Sequence, residues 1–82
     1  MHEAGLIKDM LRIVLETAQK GDMKKIERID LGLGDMSHVT PESVSLYFEH
    51  FSKGTPAEGA KLTFAPIEGG SHDFRVLSIE GD

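Results

Sequence analysis

Cysteine is absent from the chain. Without thiols there can be no disulfide, no thiolate nucleophile and no Cys-based zinc site, although this does not by itself fix the compartment. Long apolar runs are missing too. No segment is long enough to span a bilayer, and the opening Met1-His2-Glu3-Ala4-Gly5-Leu6-Ile7-Lys8-Asp9 has neither the basic region nor the apolar stretch of a secretory signal. A cytoplasmic protein with no membrane partner is therefore expected. Positive charge is scarce and scattered: nine Lys and Arg stand against fourteen Asp and Glu, for a net charge of −5. That balance argues against nucleic acid, whose binding needs clustered cations to neutralise phosphates. The one local cluster, Lys24-Lys25 with Arg28, reads as the solvated start of a strand.

What is present suits one small domain. The chain has 82 residues, 39% hydrophobic and 28% charged, a globular composition in which only about 60% of the unfolded surface can be buried. Residues 3–20 form an amphipathic pattern: Ile7, Met10, Leu11, Val14 and Ala18 recur at three- and four-residue steps, with Leu6 and Ile13 widening the stripe. Lys20 and Gly21 close it, Gly21 being the residue that tolerates positive φ. Over 25–33 the pattern changes to alternation, placing Ile29, Leu31 and Leu33 on one face of a strand. Thr40-Pro41-Glu42 then announces a second helix through an N-cap, a first-turn proline and an acid at the positive helix end. Val44, Tyr47, Phe48 and Phe51 supply its stripe, and Gly54 ends it. A second strand is expected over 60–67, with Leu62 and Phe64 on one face and Pro66 marking an edge. A third strand is expected over 74–80.

The order helix, strand, helix, strand, strand predicts an α/β (α+β) two-layer sandwich, a three-stranded mixed sheet with both helices on one face. The first two strands, joined through a helix, are expected to be parallel or non-adjacent. The last two, joined by Gly69-Gly70-Ser71-His72-Asp73, are expected to pair as an antiparallel hairpin.

Chemistry concentrates at the front of the chain. His2 brings the α-amine, the amide nitrogens of His2 and Glu3 and an imidazole into one short stretch. Deprotonated amides with an imidazole Nδ1 close adjacent five- and six-membered chelate rings, an all-nitrogen planar field that suits Ni(II) or Cu(II) and suits tetrahedral Zn(II) poorly. Met1 is expected to be retained, since its removal requires a small second residue. The plainer reading of His2 is an incidental polar residue before the first helix, and spacing alone favours it. Enzymatic readings lack parts, so no enzyme is expected. Ser37-His38 and Ser71-His72 have no orienting third group, and Gly32-x-Gly34 lacks the third glycine of a dinucleotide fingerprint.

The tripeptide Met1-His2-Glu3 opening an amphipathic helix resembles the HypA family of nickel metallochaperones for hydrogenase maturation. So do Leu31-Gly32-Leu33-Gly34-Asp35, Thr40-Pro41-Glu42-Ser43-Val44 leading into Tyr47-Phe48-Glu49, the connector Gly54-Thr55-Pro56-Ala57-Glu58-Gly59-Ala60, and the closing Leu77-Ser78-Ile79-Glu80. The resemblance implies a nickel domain, metal residues His2 and Glu3, and delivery of Ni(II) to a HypB-type GTPase and onward to a hydrogenase precursor, with urease pathway proteins as further partners. One departure is large. Members of this family insert a zinc module with two Cys-x-x-Cys pairs between the second and third strands, where this chain has only Glu68-Gly69-Gly70-Ser71-His72-Asp73. One nickel domain over 1–82, with the linker 68–73 replacing the module and no zinc bound, is the expectation. Excision closed by Gly69-Gly70 is favoured over natural loss, and the chain is expected to be a monomer or a strand-exchanged dimer. His38, Asp35 and Glu42 are the candidates to complete the metal field, whereas Thr40 is read as a cap. Met36 lies in the loop beside the candidate site. His50 is read as a surface residue or a cation near a helix C-terminus, His72 as inert and Met10 as core. The alternative from another class is a metal-free interaction module that keeps the family scaffold.

Overall fold

In the computed structural model, which describes residues 3–34, 39–67 and 74–82, five elements follow one another. They are α1 (Glu3–Lys20), β1 (Ile26–Leu33), α2 (Pro41–Phe51), β2 (Lys61–Pro66) and β3 (Phe74–Gly81). The stripe read from α1 is the stripe it buries: Ile7, Met10, Leu11, Val14 and Ala18 are all in the core. Ile13 is not, being 46% exposed, because it lies beyond the arc that the sheet and α2 can cover. In α2, Val44 and Phe48 are buried, and Tyr47 and Phe51 pack at the margin. Phe51 also receives Lys8 of α1, whose Nζ lies 5.0 Å from the ring centre, which ties the two helices together.

The three strands form one mixed sheet in the order β2-β1-β3. β1 runs parallel to β2, with Ile29 opposite Leu62 and Leu31 opposite Phe64, and antiparallel to β3, with Ile29 opposite Ile79 and Leu33 opposite Phe74. The face carrying these apolar residues meets the helices. The other face carries Arg28, Asp30, Gly32, Thr63 and Ser78. Ile26, Ile29 and Leu31 are completely buried, although 26 and 29 differ in parity. A bulge resolves this: Glu27 has no partner in β3, and the extra residue turns Ile26 back toward the core. A second irregularity leaves Leu77 unopposed on β3.

The hairpin expected between β2 and β3 does not form. The two strands lie on opposite sides of β1, and Pro66 and Phe74 are both register partners of Leu33. The physical reason is that β1 is the strand able to be buried from both sides, while β2 and β3 have half-exposed patterns suited to edges. Centring β1 also puts sheet beneath both helices, with β3 reaching α1. The chain between Pro66 and Phe74 needs to bridge only two strand spacings, about 10 Å, which seven residues reach easily.

Turn chemistry differs from expectation at the end of α1. The left-handed residue is Asp22 (φ 54°), not Gly21. The N–H of Met23 bonds Ala18 O at 2.8 Å and that of Asp22 bonds Gln19 O at 3.2 Å, the paired bonds of a Schellman cap with Asp22 at its left-handed position. An L-residue is strained there, so Asp22→Gly is expected to stabilise the fold by about 0.5–1 kcal/mol, read as a higher denaturant midpoint at unchanged m. The second helix also stops earlier than expected, at Phe51, with Ser52 as its C-cap. Gly54 (φ 79°) turns the chain two residues later.

Candidate functional site

The two helix N-termini meet at Glu3. Thr40 caps α2: its hydroxyl accepts the Ser43 N–H at 3.1 Å, and Ser43 Oγ in return accepts the Thr40 N–H at 3.1 Å. This reciprocal box leaves the single Ser43 hydroxyl proton to donate, and it goes to the Glu3 carboxylate. Glu3 thus places a negative charge against the first turn of α2 as well as on its own helix, favourable at both positive helix ends. As the first residue of α1, its backbone N–H also lies outside the intrahelical ladder. The carboxylate is committed to structure, whereas the amide nitrogen is not required by the helix.

Of the residues singled out from the sequence, His2, Asp35, Met36, His38 and His72 lie outside the described residues. Glu3 and Thr40 directly adjoin or closely flank two of those segments, and Ser43 joins them. Glu42 is exposed in the first turn of α2, and Met10 is core, as read. His50 is exposed in the last turn of α2, its ring edge-on to Phe51 with centroids 5.6 Å apart. Among the described residues, no three His, Asp or Glu side chains converge into a metal-holding group. Ser43 was missed from sequence. The spacing Thr-x-x-Ser is a legible capping signal, but nothing in it says that a glutamate forty residues earlier shares the hydroxyl.

A second polar constellation occupies the open face of the sheet. Asp30 accepts from Ser78 Oγ and Thr63 Oγ1, both at 2.5 Å, and from Arg28 Nε at 3.1 Å. Arg28 continues to Glu80 at 3.1 Å. The hydroxyls of Ser78 and then Thr63 hold the Asp30 carboxyl below its ordinary range against the opposing effect of desolvation, and the Arg28 guanidinium adds a lesser lowering. One residue from each strand therefore meets on a single carboxylate. Arg28 is engaged here by two acids, in keeping with its reading as part of a strand rather than of a phosphate site.

The family model described as hydrogenase/urease nickel incorporation, metallochaperone, hypA matches residues 1–72. The chain belongs to the HypA family. Hydrogenase maturation factor HypA of Nostoc sp. is 41% identical over 69 residues, covering 84% of this chain and 58% of that protein. The same factor from Caldanaerobacter subterraneus is 33% identical over 64 residues, covering 78% of this chain and 56% of that one. The chain thus spans less than three fifths of the length of these HypA relatives. The solution structure of the Ni metallochaperone HypA from Helicobacter pylori superimposes with a TM-score of 0.86 at 19% identity, over 99% of this chain and 97% of that one. At that identity the likeness establishes the fold, a two-helix, three-strand mixed-sheet α+β arrangement as expected from the sequence. The family model describes a nickel-incorporation metallochaperone, and these relatives carry the name of maturation factors. Among the described residues no helix is long and apolar enough to cross a membrane.

Proposed function

We propose that this chain is a cytoplasmic nickel carrier domain that binds Ni(II) at its N-terminus and passes it on for nickel–iron hydrogenase maturation. Ni(II) is cargo here. The His2 imidazole and the amide nitrogens of His2 and Glu3 bind it in a planar nitrogen field, and ligand exchange moves it to a HypB-type GTPase and then to the hydrogenase precursor, with urease proteins as a second destination. The observation that carries this reading is the position of Glu3. It opens α1, so its amide nitrogen can lose its proton without breaking a helical hydrogen bond. Its carboxylate, bonded by Ser43, fixes the start of the helix against α2, which gives the proposed site a fixed backbone nitrogen at Glu3. The whole chain acts as one domain, with the linker 68–73 standing where relatives of this family carry a zinc module. With no cysteine in this sequence, the domain has no thiolates for a Cys-based zinc site.

Titration of Ni(II) into tag-free protein tests the proposal. One equivalent is expected to bind with a visible d–d band and to release protons, because imidazole and amides bind only when deprotonated. Lowering the pH restores those protons and opposes binding. Affinity is therefore expected to fall by about tenfold per pH unit for each proton released, most steeply below the ordinary imidazole pKa of about 6.5. No heat and no new band on titration would refute the carrier reading.

A further inference from the structure

β2 has a partner only in β1, so among the described residues its outer edge presents unpaired backbone groups. Beside that edge a groove of ≈ 510 Å³ runs between β2 and α2. Its floor is Phe48, Ala60 and Leu62, and its rim carries Glu49, Glu58 and Lys53. The Glu58 carboxylate is held in place by the Gly54 N–H at 3.3 Å, which leaves its remaining lone pairs for another donor. Past Ser45 and Glu49 the same surface continues to Leu46, 69% exposed and flanked by Glu42. Acids outnumber bases along this path, as they do over the chain.

We propose that this groove docks an extended, basic segment of a partner protein, which adds as a strand to the free edge of β2. Backbone bonds to the edge supply affinity without sequence preference, and the side chains alternating toward α2 supply the selection. Two chemistries are selected. An apolar side chain covers Phe48, Ala60 and Leu62, and an Arg or Lys lays its stem along the same floor and reaches the Glu49 or Glu58 carboxylate. An acidic strand is rejected by these carboxylates. β2 is short and ends in Pro66, which confines pairing to a few residues and discourages open-ended sheet growth between copies. The groove itself is lined by neither Glu3 nor Ser43, and the proposal needs no metal.

The test uses nickel-free, ¹⁵N-labelled protein and two capped peptides. In one, arginine and valine alternate with threonine, and in the other glutamate replaces arginine. The arginine peptide is expected to bind, to shift amide resonances of residues 61–66 and of the groove-facing part of α2, and to bind at least tenfold more tightly than its glutamate counterpart. Binding is expected to weaken with added salt. Glu49→Lys is expected to weaken the arginine peptide by a similar factor; its site is exposed, it leaves the Glu58–Gly54 contact in place, and an unchanged circular dichroism spectrum checks its fold. Equal affinity for the two peptides, undiminished binding by Glu49→Lys, shifts confined to other surfaces, or no binding at all overturns the proposal. None of these outcomes bears on nickel at His2, which is read from the metal titration.

Discussion

Tight nickel binding is expected to vanish in His2→Ala while the fold is retained. The imidazole takes hold of Ni(II) without first losing an amide proton, whereas the α-amine, with an ordinary pKa of about 7.7–8.0, is mostly protonated at neutral pH, so the imidazole anchors the metal while the amides deprotonate. Removing it takes away that anchor as well as one ligand. The loss should exceed the roughly 10–100-fold cost of altering a supporting residue around a metal site. Among the described residues the buried core runs from Ile7 onward, so circular dichroism and the unfolding midpoint should be unchanged. One added residue ahead of Met1 shifts the amine relative to the imidazole and should weaken binding in the same way. Glu3→Gln is the informative contrast. It keeps the amide nitrogen and a polar partner for Ser43, so it should retain most of the affinity. Competition against a chromophoric chelator measures all three. Unchanged affinity in both His2→Ala and the extended chain places the metal elsewhere.

How far the sequence disclosed this site follows from how local each signal is. The α1 stripe and the Thr40-Pro41 start of α2 depend on residues within one or two turns, and both stand as read apart from Ile13. Burial of Ile26 was not visible, because it depends on the unpaired Glu27, a feature of two strands in register rather than of one strand. The expected β2–β3 hairpin failed for a related reason. A short Gly-rich join favours a hairpin locally, but the claim of β1 on both neighbours is decided by the whole layer of helices above it. Asp22 shows the limit of reading a glycine as a stop signal: Gly21 is adjacent, yet the bonds to Ala18 and Gln19 put the left-handed turn one residue later. At the candidate site the sequence pointed to Glu3 through its neighbour His2 and through family resemblance. Its bond to Ser43 needed the packing of α1 on α2. The Asp30 constellation was illegible for the same cause, since Thr63 and Ser78 are brought to it only by the register of all three strands.

Packing separates two isoleucines that hydropathy alone cannot tell apart. Ile29 sits in the middle strand with no exposed surface, opposite Leu62 on one side and Ile79 on the other. Ile29→Ala removes three carbons from the centre of the core, and the neighbours on both flanks are held in strand register and cannot close the gap. A loss of about 2–5 kcal/mol is expected, a large part of the roughly 5–15 kcal/mol available to a domain of ordinary stability. Ile13→Ala makes the same chemical change at a position 46% exposed on the outer side of α1. There no cavity forms, alanine is the better helix former, and the change should stay within about 0.5 kcal/mol. Urea unfolding of both variants reads the difference as a midpoint shift at constant m. Comparable losses at the two positions would mean that β1 is not the buried centre of the sheet. A small loss at Ile29 would mean that the core repacks around it, which is incompatible with a strand fixed by partners on both edges.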